Sequence, residues 1–171
     1  MSEFELLASF KTHPDLHNQF KSEKLYNQWA HNYPMLFDQD DLRIAISQAS
    51  MGYHYYEWLS AILIYHTIGK YSLIEQYQFK NHQKKHEKML KLTTLGVIGF
   101  MNSHPEFGDV QCPDLLVYDP DYSDWFFCEV KGPNDRLRDS QLEFFTELCK
   151  RTSKPIKIIE FQYIIGADEK T

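Results

Sequence analysis

Three short apolar segments in the C-terminal half of the chain most constrain its fold. They read LLVY at Leu115–Tyr118, WFFCEVK at Trp125–Lys131 and IKIIEFQYII at Ile156–Ile165. Their lengths and their β-branched and aromatic residues predict strands, and the intervening DPDYSD predicts a hairpin loop between the first two. An amphipathic helix is predicted over 137–150, before the third. This order indicates a mixed α/β domain whose central sheet is covered by helices.

The N-terminal half is predicted to be mainly helical. Aromatic and aliphatic residues recur at helical spacing through the first fifty residues, and a second apolar helix is predicted over Tyr53–His66, with Gly69 at its end. Leu95–Met101 (LGVIGFM) is short, apolar and flanked by turn formers, which favours a strand. We therefore expect an N-terminal helical extension at 1–52, packed on a core domain at 53–171.

Composition excludes several classes of protein. The chain has 171 residues, of which 43% are hydrophobic, enough for the core of one domain. No apolar run approaches the roughly 18 to 20 residues that span a bilayer, and the N-terminus lacks the basic start and cleavage site of a signal peptide. Three cysteines without a CxxC pair suggest neither a disulfide framework nor a zinc knuckle. We expect a cytoplasmic protein with no membrane partner.

Charged residues sit at the ends of the two strands that the hairpin joins. Pro113-Asp114 precedes the first strand, and Glu129-Val130-Lys131 ends the second. Because side chains alternate along a strand, Glu129 and Lys131 share a face, and pairing of the strands would bring Asp114 beside them. Two carboxylates suit Mg²⁺ or Mn²⁺, and Lys131 would orient the attacking water. A Pro-Asp turn and a Glu-x-Lys pair are each commonplace, but a carboxylate inside WFFCEVK needs a compensating partner.

These residues resemble a known family. PDLLVY, EVKGPNDRL and the following Gln141 are similar to the virus-type replication-repair nuclease (VRR-NUC) domain of the PD-(D/E)XK nuclease superfamily, over about residues 95 to 163. Cys112 departs from the glycine that many members have before Pro-Asp. The resemblance implies a restriction-endonuclease-like fold and a metal-dependent deoxyribonuclease that hydrolyses phosphodiester bonds. It further implies a structure-selective endonuclease acting on branched or flapped DNA, in DNA repair, recombination or the biology of phages and mobile elements.

The resemblance also implies roles for individual residues. Asp114, Glu129 and the Val130 carbonyl would bind the metal, Lys131 would lie beside the water, and Gln141 would support the site or approach the phosphate. Members usually add an acid from a helix that precedes the sheet. We expect Glu57, since it is the one acid in the apolar stretch YHYYEWLSAILIY; Glu75, in a more polar stretch, is the alternative.

Basic residues offer further candidate contacts to DNA. The segment Lys80–Lys91 holds five lysines (Lys80, Lys84, Lys85, Lys88 and Lys91) and one glutamate, in a chain whose net charge is −6. This strip could follow a phosphate backbone or be a solvated helix face. Arg136 could bind a phosphate or pair with Asp139 or Asp119, and Asp135 could cap the following helix.

Two questions about function stay open in the sequence. A homodimer that presents two sites to a two-fold DNA substrate is one expectation. The alternative to an enzyme is a non-catalytic nucleic-acid-binding or protein-interaction module built on the nuclease fold, which the acidic net charge leaves open. RNA as the substrate is a third reading, because hydrolysis of its backbone would use the same site.

Overall fold

The computed structural model describes residues 3–38, 42–107 and 112–164, and the elements below are those of this part of the chain. The strands are β1 (Phe4–Thr12), β2 (Tyr71–Ile74), β3 (Leu115–Tyr118), β4 (Trp125–Lys131) and β5 (Ile156–Tyr163). The helices are α1 (Pro14–Lys21), α2 (Lys24–Asn32), α3 (Pro34–Phe37), α4 (Leu42–Ser50), α5 (Tyr55–Ile68), α6 (Gln83–Leu92), α7 (Leu95–Asn102) and α8 (Asp139–Thr152), with a 3₁₀ turn at Pro105–Phe107.

The five strands form one mixed sheet in the order β1-β5-β4-β3-β2. β1, β5 and β4 run parallel, whereas β4, β3 and β2 are successively antiparallel. Alternating side chains place Leu116 and Phe127 in a core on one face, with residues from α6, α7 and α8. Leu115 and Phe126 lie in the core of the other face, with residues from α1, α2, α4 and α5. The predicted α/β sheet flanked by helices is therefore confirmed.

The strands and the helix of the C-terminal half follow the predictions closely. β3 and β4 have the predicted bounds, and β5 begins at the predicted Ile156 and ends at Tyr163; the predicted last residue, Ile165, lies outside the described residues. α8 begins at Asp139, two residues after the predicted start. The N-cap position is therefore Arg138, and the predicted capping role of Asp135 is wrong.

Two predictions of secondary structure are wrong, one of a strand and one of a helix. Leu95–Met101 belongs to α7, because the Thr94 hydroxyl accepts a hydrogen bond from the Val97 amide and so starts a helix whose residues Val97, Ile98 and Met101 face the core. Residues 4–12, predicted to be helical, form β1, which pairs with β5 along its length. Tertiary pairing overrides local propensity here. The sequence also gave no signal for β2, a four-residue strand.

Helix α5 connects the N-terminal helices to the sheet. It is apolar on most sides, with buried residues that include Trp58, Ala61 and Ile64, and it ends at Gly69 in the left-handed conformation, as predicted. It packs against β2 and β4. Gly132, just after β4, lies against the Tyr56 ring, so that a β-carbon there would be 3.1 Å from the ring. Glu57 is thereby held close to the end of β4.

None of the helices in the described ranges is long and apolar enough to span a membrane.

Candidate active site

Strand pairing brings the predicted acids together. Leu115 on β3 is opposite Cys128 on β4, so Asp114, one residue earlier, is level with Glu129. The Val130 amide donates a hydrogen bond of 2.7 Å to Asp114 Oδ2. Cys128 and Val130 belong to the core beneath α5, whereas Lys131 Nζ contacts Glu129 Oε1 at 2.8 Å. The predicted common face of Glu129 and Lys131 is confirmed.

Glu129 is the most constrained group of the site. It is only 2% exposed, and its Oε1 accepts hydrogen bonds from Lys131 Nζ and, at 2.8 Å, from Gln141 Nε2. Its Oε2 is buried and has no hydrogen-bond partner in the described part of the chain. Burial raises the pKa of Glu129, and the Lys131 ammonium offsets only part of that rise. An unsatisfied carboxylate oxygen inside a protein is costly unless a cation or a proton compensates it.

The charged form of Asp114 is also disfavoured by its surroundings. Burial raises the pKa of Asp114 well above its ordinary value, and the charges of Glu129 and Glu57 raise it further, against the opposing hydrogen bond from the Val130 amide. Asp114 and Glu129 together are therefore poorly stabilised as two anions by the protein alone. A divalent cation is the usual compensation for such a pair.

Lys131 and Gln141 form a support for Glu129. Lys131 Nζ lies 3.4 Å from Gln141 Oε1 and 3.6 Å from Asp135 Oδ2. Burial alone would lower the pKa of Lys131, but Glu129 raises it on balance, so Lys131 remains an ammonium. Gln141 Oε1 also accepts from the Arg138 amide at 3.2 Å, which ties the side chain to the start of α8. Gln141 is therefore a positioning residue.

A cavity of about 330 Å³ opens at this end of the sheet. Its walls contain Glu57, Cys112, Asp114, Glu129, Val130, Lys131, Asp135, Arg138 and Gln141. The structure itself shows that these residues suit a divalent metal. Glu129, whose Oε2 has no hydrogen-bond partner among the described residues, and Asp114 both border the cavity. The Val130 amide points to the Asp114 side of β4. In a strand the carbonyl of a residue points the same way as its amide, so Val130 can offer its oxygen there.

Glu57 and Glu75 lie on either side of one histidine. His54 Nδ1 is 3.6 Å from Glu57 Oε1 and 3.3 Å from Glu75 Oε1, and the ligand atoms of all three residues lie within 4.8 Å of one another. Burial alone would lower the pKa of His54, but the two carboxylates raise it on balance; burial also raises the pKa of Glu75. Glu57 borders the cavity that holds Asp114, whereas Glu75 borders a neighbouring cavity. This placement favours Glu57 as the helix acid.

Comparison with known proteins identifies the domain. A family model described as the VRR-NUC domain matches residues 57–159. The chain belongs to the VRR-NUC family. The match begins at Glu57 and includes every other residue that borders the cavity, so the VRR-NUC nuclease domain contains the candidate active site.

Two solved structures resemble the VRR-NUC chain over most of its length. Crystal structures of paFAN1 bound to 5′-flap DNA with a gap, one with a two-nucleotide and one with a one-nucleotide flap, share 17% and 19% sequence identity with it at TM-scores of 0.40 and 0.37. Each comparison covers 89% of this chain and 26% of the paFAN1 chain. The aligned region spans about a quarter of the length of the paFAN1 chain. No curated protein gives a significant sequence match.

The basic residues do not form one continuous surface. Lys85 is only 8% exposed and donates to the Glu75 carbonyl at 3.1 Å, so it does not join an exposed strip. Lys84 is exposed and forms an ion pair with Asp38. Lys80 and Lys91 are exposed and Lys88 is half-buried. Contact of these four lysines with DNA stays a prediction.

Arg136 lies apart from the cavity wall on an exposed turn. Within the described ranges its guanidinium makes no ion pair, and Asp119, one of its two expected partners, is paired with Lys70. The expected salt bridge to Asp139 or Asp119 is therefore not formed, and binding of a phosphate by Arg136 stays a prediction.

Sequence reasoning missed three residues of the site. Arg138 borders the cavity on the same turn as Arg136, and the sequence offered no reason to prefer one arginine to the other. Asp135, predicted only as a cap, borders the cavity beside Lys131. His54 adopts a left-handed backbone conformation before α5 and contacts both candidate helix acids. Its position three residues before Glu57 was the signal available, because that spacing is one helical turn.

Proposed function

We propose that this protein is a Mg²⁺- or Mn²⁺-dependent nuclease that hydrolyses DNA phosphodiester bonds by attack of water. The observation that carries the proposal is the unpartnered Glu129 Oε2, buried beside Asp114 and bordering an open cavity. Burial raises the pKa of both carboxyl groups, and the charge of Glu129 raises that of Asp114 further, so the pair offers hard oxygen ligands whose charge a divalent cation would compensate.

We assign the residues of the site separate roles in hydrolysis. Asp114, Glu129, the Val130 carbonyl and Glu57 would hold the metal, which when bound supplies Lewis-acid stabilisation of charge on the phosphate and lowers the pKa of water. Lys131 stays an ammonium, so it donates hydrogen bonds to the attacking water or to a phosphate oxygen and does not remove a proton. Gln141 holds both Glu129 and Lys131 in place. Arg138 offers a cation to an adjacent phosphate at the cavity wall.

Branched or flapped DNA is the substrate class that we propose, with a role in DNA repair, recombination or the biology of phages and mobile elements. A homodimer would add a second active site for a two-fold substrate such as a four-way junction. Light scattering of the purified protein, alone and with junction DNA, tests the dimer independently of cleavage. A monomer in both samples removes this part of the proposal.

A cleavage panel tests the activity. Single-stranded, duplex, 5′-flap and four-way DNA, together with a single-stranded RNA, are incubated with Mg²⁺, Mn²⁺ or EDTA. We expect metal-dependent cleavage of DNA that is strongest on the flap or the four-way substrate, and no cleavage in EDTA.

Variants that leave the core intact serve as controls for the panel. Lys131→Met should reduce turnover by about 100- to 1000-fold, the range for loss of one hydrogen-bond donor to the reacting groups, whereas Lys150→Met, on the exposed side of α8, should cleave like the wild type. Equal activity of the folded Lys131→Met protein would contradict the mechanism. Binding to DNA without cleavage under any metal condition would instead favour the non-catalytic module.

A further inference from the structure

A second cavity lies next to the candidate active site. It has a volume of about 190 Å³, and its walls include His54 and Glu75, which form one cluster with Glu57 of the first cavity. The Glu75 amide donates to the Asp114 carbonyl at 2.8 Å. The two cavities therefore share a wall, so a nucleic-acid strand with a phosphate at Asp114 would pass close to the second cavity.

One side of the second cavity is aromatic. Phe37 and Trp58 border it, with their rings stacked at 4.0 Å between centroids and 11° between planes. Ala45 and Ile74 add aliphatic surface. Aromatic surface of this kind contacts the flat, apolar faces of nucleobases in proteins that bind single strands.

Amide groups also border the second cavity. Gln48 and Asn81 border the cavity, and neither side chain has a hydrogen-bond partner among the residues that the structure describes. An amide side chain both donates and accepts, which matches the edge of a nucleobase. Aromatic surface and amide groups in one cavity are a combination that recognises unstacked bases.

The charged groups of the second cavity contact one another. Glu75 Oε1 lies 3.3 Å from His54 Nδ1, and the Lys85 ammonium donates to the Glu75 carbonyl. A neutral, planar ligand leaves these contacts in place, whereas a bound anion would compete with Glu75 for the cations.

We infer that the second cavity binds one unpaired nucleobase of the substrate, on the strand that carries the scissile phosphate. The inference rests on the proposed nuclease function and deepens it, because a base in this cavity would fix which phosphate reaches Asp114. The enzyme would then require an unstacked nucleotide beside the cleavage position, which flaps and junctions provide and a continuous duplex does not.

An abasic scan tests the inference in the intact protein. Single abasic nucleotides replace each position on both sides of the cleaved phosphate of a flap substrate, and kcat/KM is measured for each. We expect one position at which loss of the base lowers kcat/KM by about 5- to 150-fold, the range of a base–aromatic contact. Sensitivity at no position would overturn the inference while leaving the nuclease function intact.

Two cavity variants show whether that sensitivity comes from this cavity. Ala45→Leu fills part of the space, and Gln48→Leu removes an amide at similar volume. Both should lower kcat/KM on the intact flap. Ala45→Leu should abolish the loss caused by the abasic nucleotide and Gln48→Leu should reduce it, whereas Gln19→Leu, on an exposed part of α1, should preserve it. Equal abasic sensitivity in wild type and both folded cavity variants places the base elsewhere and overturns the inference.

A binding measurement separates the inference from the activity. 2-Aminopurine, a fluorescent base, is placed at each position of the flap DNA, with Ca²⁺ in place of Mg²⁺. Its fluorescence should change on binding at one position in the wild type and change less in Gln48→Leu. If the wild type cleaves nothing but this change is seen, the proposed nuclease function fails and base binding stands. If removal of a terminal phosphate, rather than of a base, eliminates the difference between wild type and Gln48→Leu, the cavity binds phosphate and the inference is wrong.

Discussion

Removing one carboxylate of the candidate active site should stabilise the metal-free protein. Burial raises the pKa values of Asp114 and Glu129 in the folded state, and the charge of Glu129 raises that of Asp114 further, whereas these side chains titrate near pH 4 in the unfolded chain. The folded state therefore keeps protons that the unfolded chain has released, and the free energy of unfolding falls as pH rises from about 4 through the folded pKa values.

The slope of this fall follows from the number of protons. Each retained proton costs about 1.4 kcal/mol of stability per pH unit. Because the two carboxylates repel each other, their protons leave in separate steps, so a slope of about 1.4 kcal/mol per unit is expected over most of the range. Asp114→Asn keeps an oxygen for the Val130 amide and removes one charge. The free energy of unfolding of Asp114→Asn should therefore exceed that of the wild type by an amount that grows with pH, at up to about 1.4 kcal/mol per pH unit.

Urea unfolding in EDTA between pH 4.5 and 8 measures the effect. Subtracting the Asp114→Asn curve from the wild-type curve cancels histidines and other groups that titrate equally in both. Saturating Mn²⁺ should reverse the order, since a ligand at 100 times its Kd stabilises by about 2.7 kcal/mol and the variant lacks one metal ligand. A difference that stays constant across this pH range would refute the reasoning.

Asp121→Asn is the matched control. The hydrogen bonds from Ser123 lower the pKa of Asp121, which is fully exposed. A lowered pKa contributes stability that is present above the unfolded pKa and lost only as pH falls through the folded value. The difference between wild type and Asp121→Asn should therefore be flat above pH 5.

Three further outcomes are expected. Glu57→Gln should lower activity and raise the metal concentration needed for half-maximal cleavage, whereas Glu75→Gln should do neither. The reverse result in metal titrations would identify Glu75, which directly follows β2, as the additional metal-binding acid. Gln141→Leu should lower the free energy of urea unfolding by about 1.5–3 kcal/mol, because Glu129 loses a hydrogen bond, and should lower kcat with little change in KM. If the lysines contact duplex DNA, Lys80→Ala with Lys84→Ala should reduce the slope of log affinity against log salt by up to about 1.8 in Ca²⁺ titrations; an unchanged slope would indicate a solvated face.

The sequence predicts the part of the site that is local in the chain. Asp114, Glu129, Lys131 and Gln141 lie on two neighbouring strands and the next helix, so alternation along β4 and the hairpin register suffice to bring them together. The PD…ExK pattern carries that geometry in one short segment.

The rest of the fold depends on contacts between distant segments. The apolar segment LGVIGFM is compatible with a strand and with a buried helix. The N-cap hydrogen bond to the Thr94 hydroxyl stabilises the helix. Residues 4–12 form the strand β1 because they pair with β5. This pairing partner lies far away in the sequence and cannot be read from residues 4–12 themselves. The placement of His54 between Glu57 and Glu75 depends in the same way on the packing of α5 against β2.

The sheet order has a consequence for biosynthesis. Phe4 pairs with Ile156, so β5 lies between β1 and the remaining strands. While the ribosome is still making the middle of the chain, β1 has no strand to pair with and exposes a hydrogen-bonding edge. Contacts so distant in sequence slow folding and leave such edges open to aggregation. We therefore expect that ribosome-bound chains arrested before residue 156 remain sensitive to proteases at residues 4–12. Protection of these residues from proteases should appear in a single step, once β5 has been made.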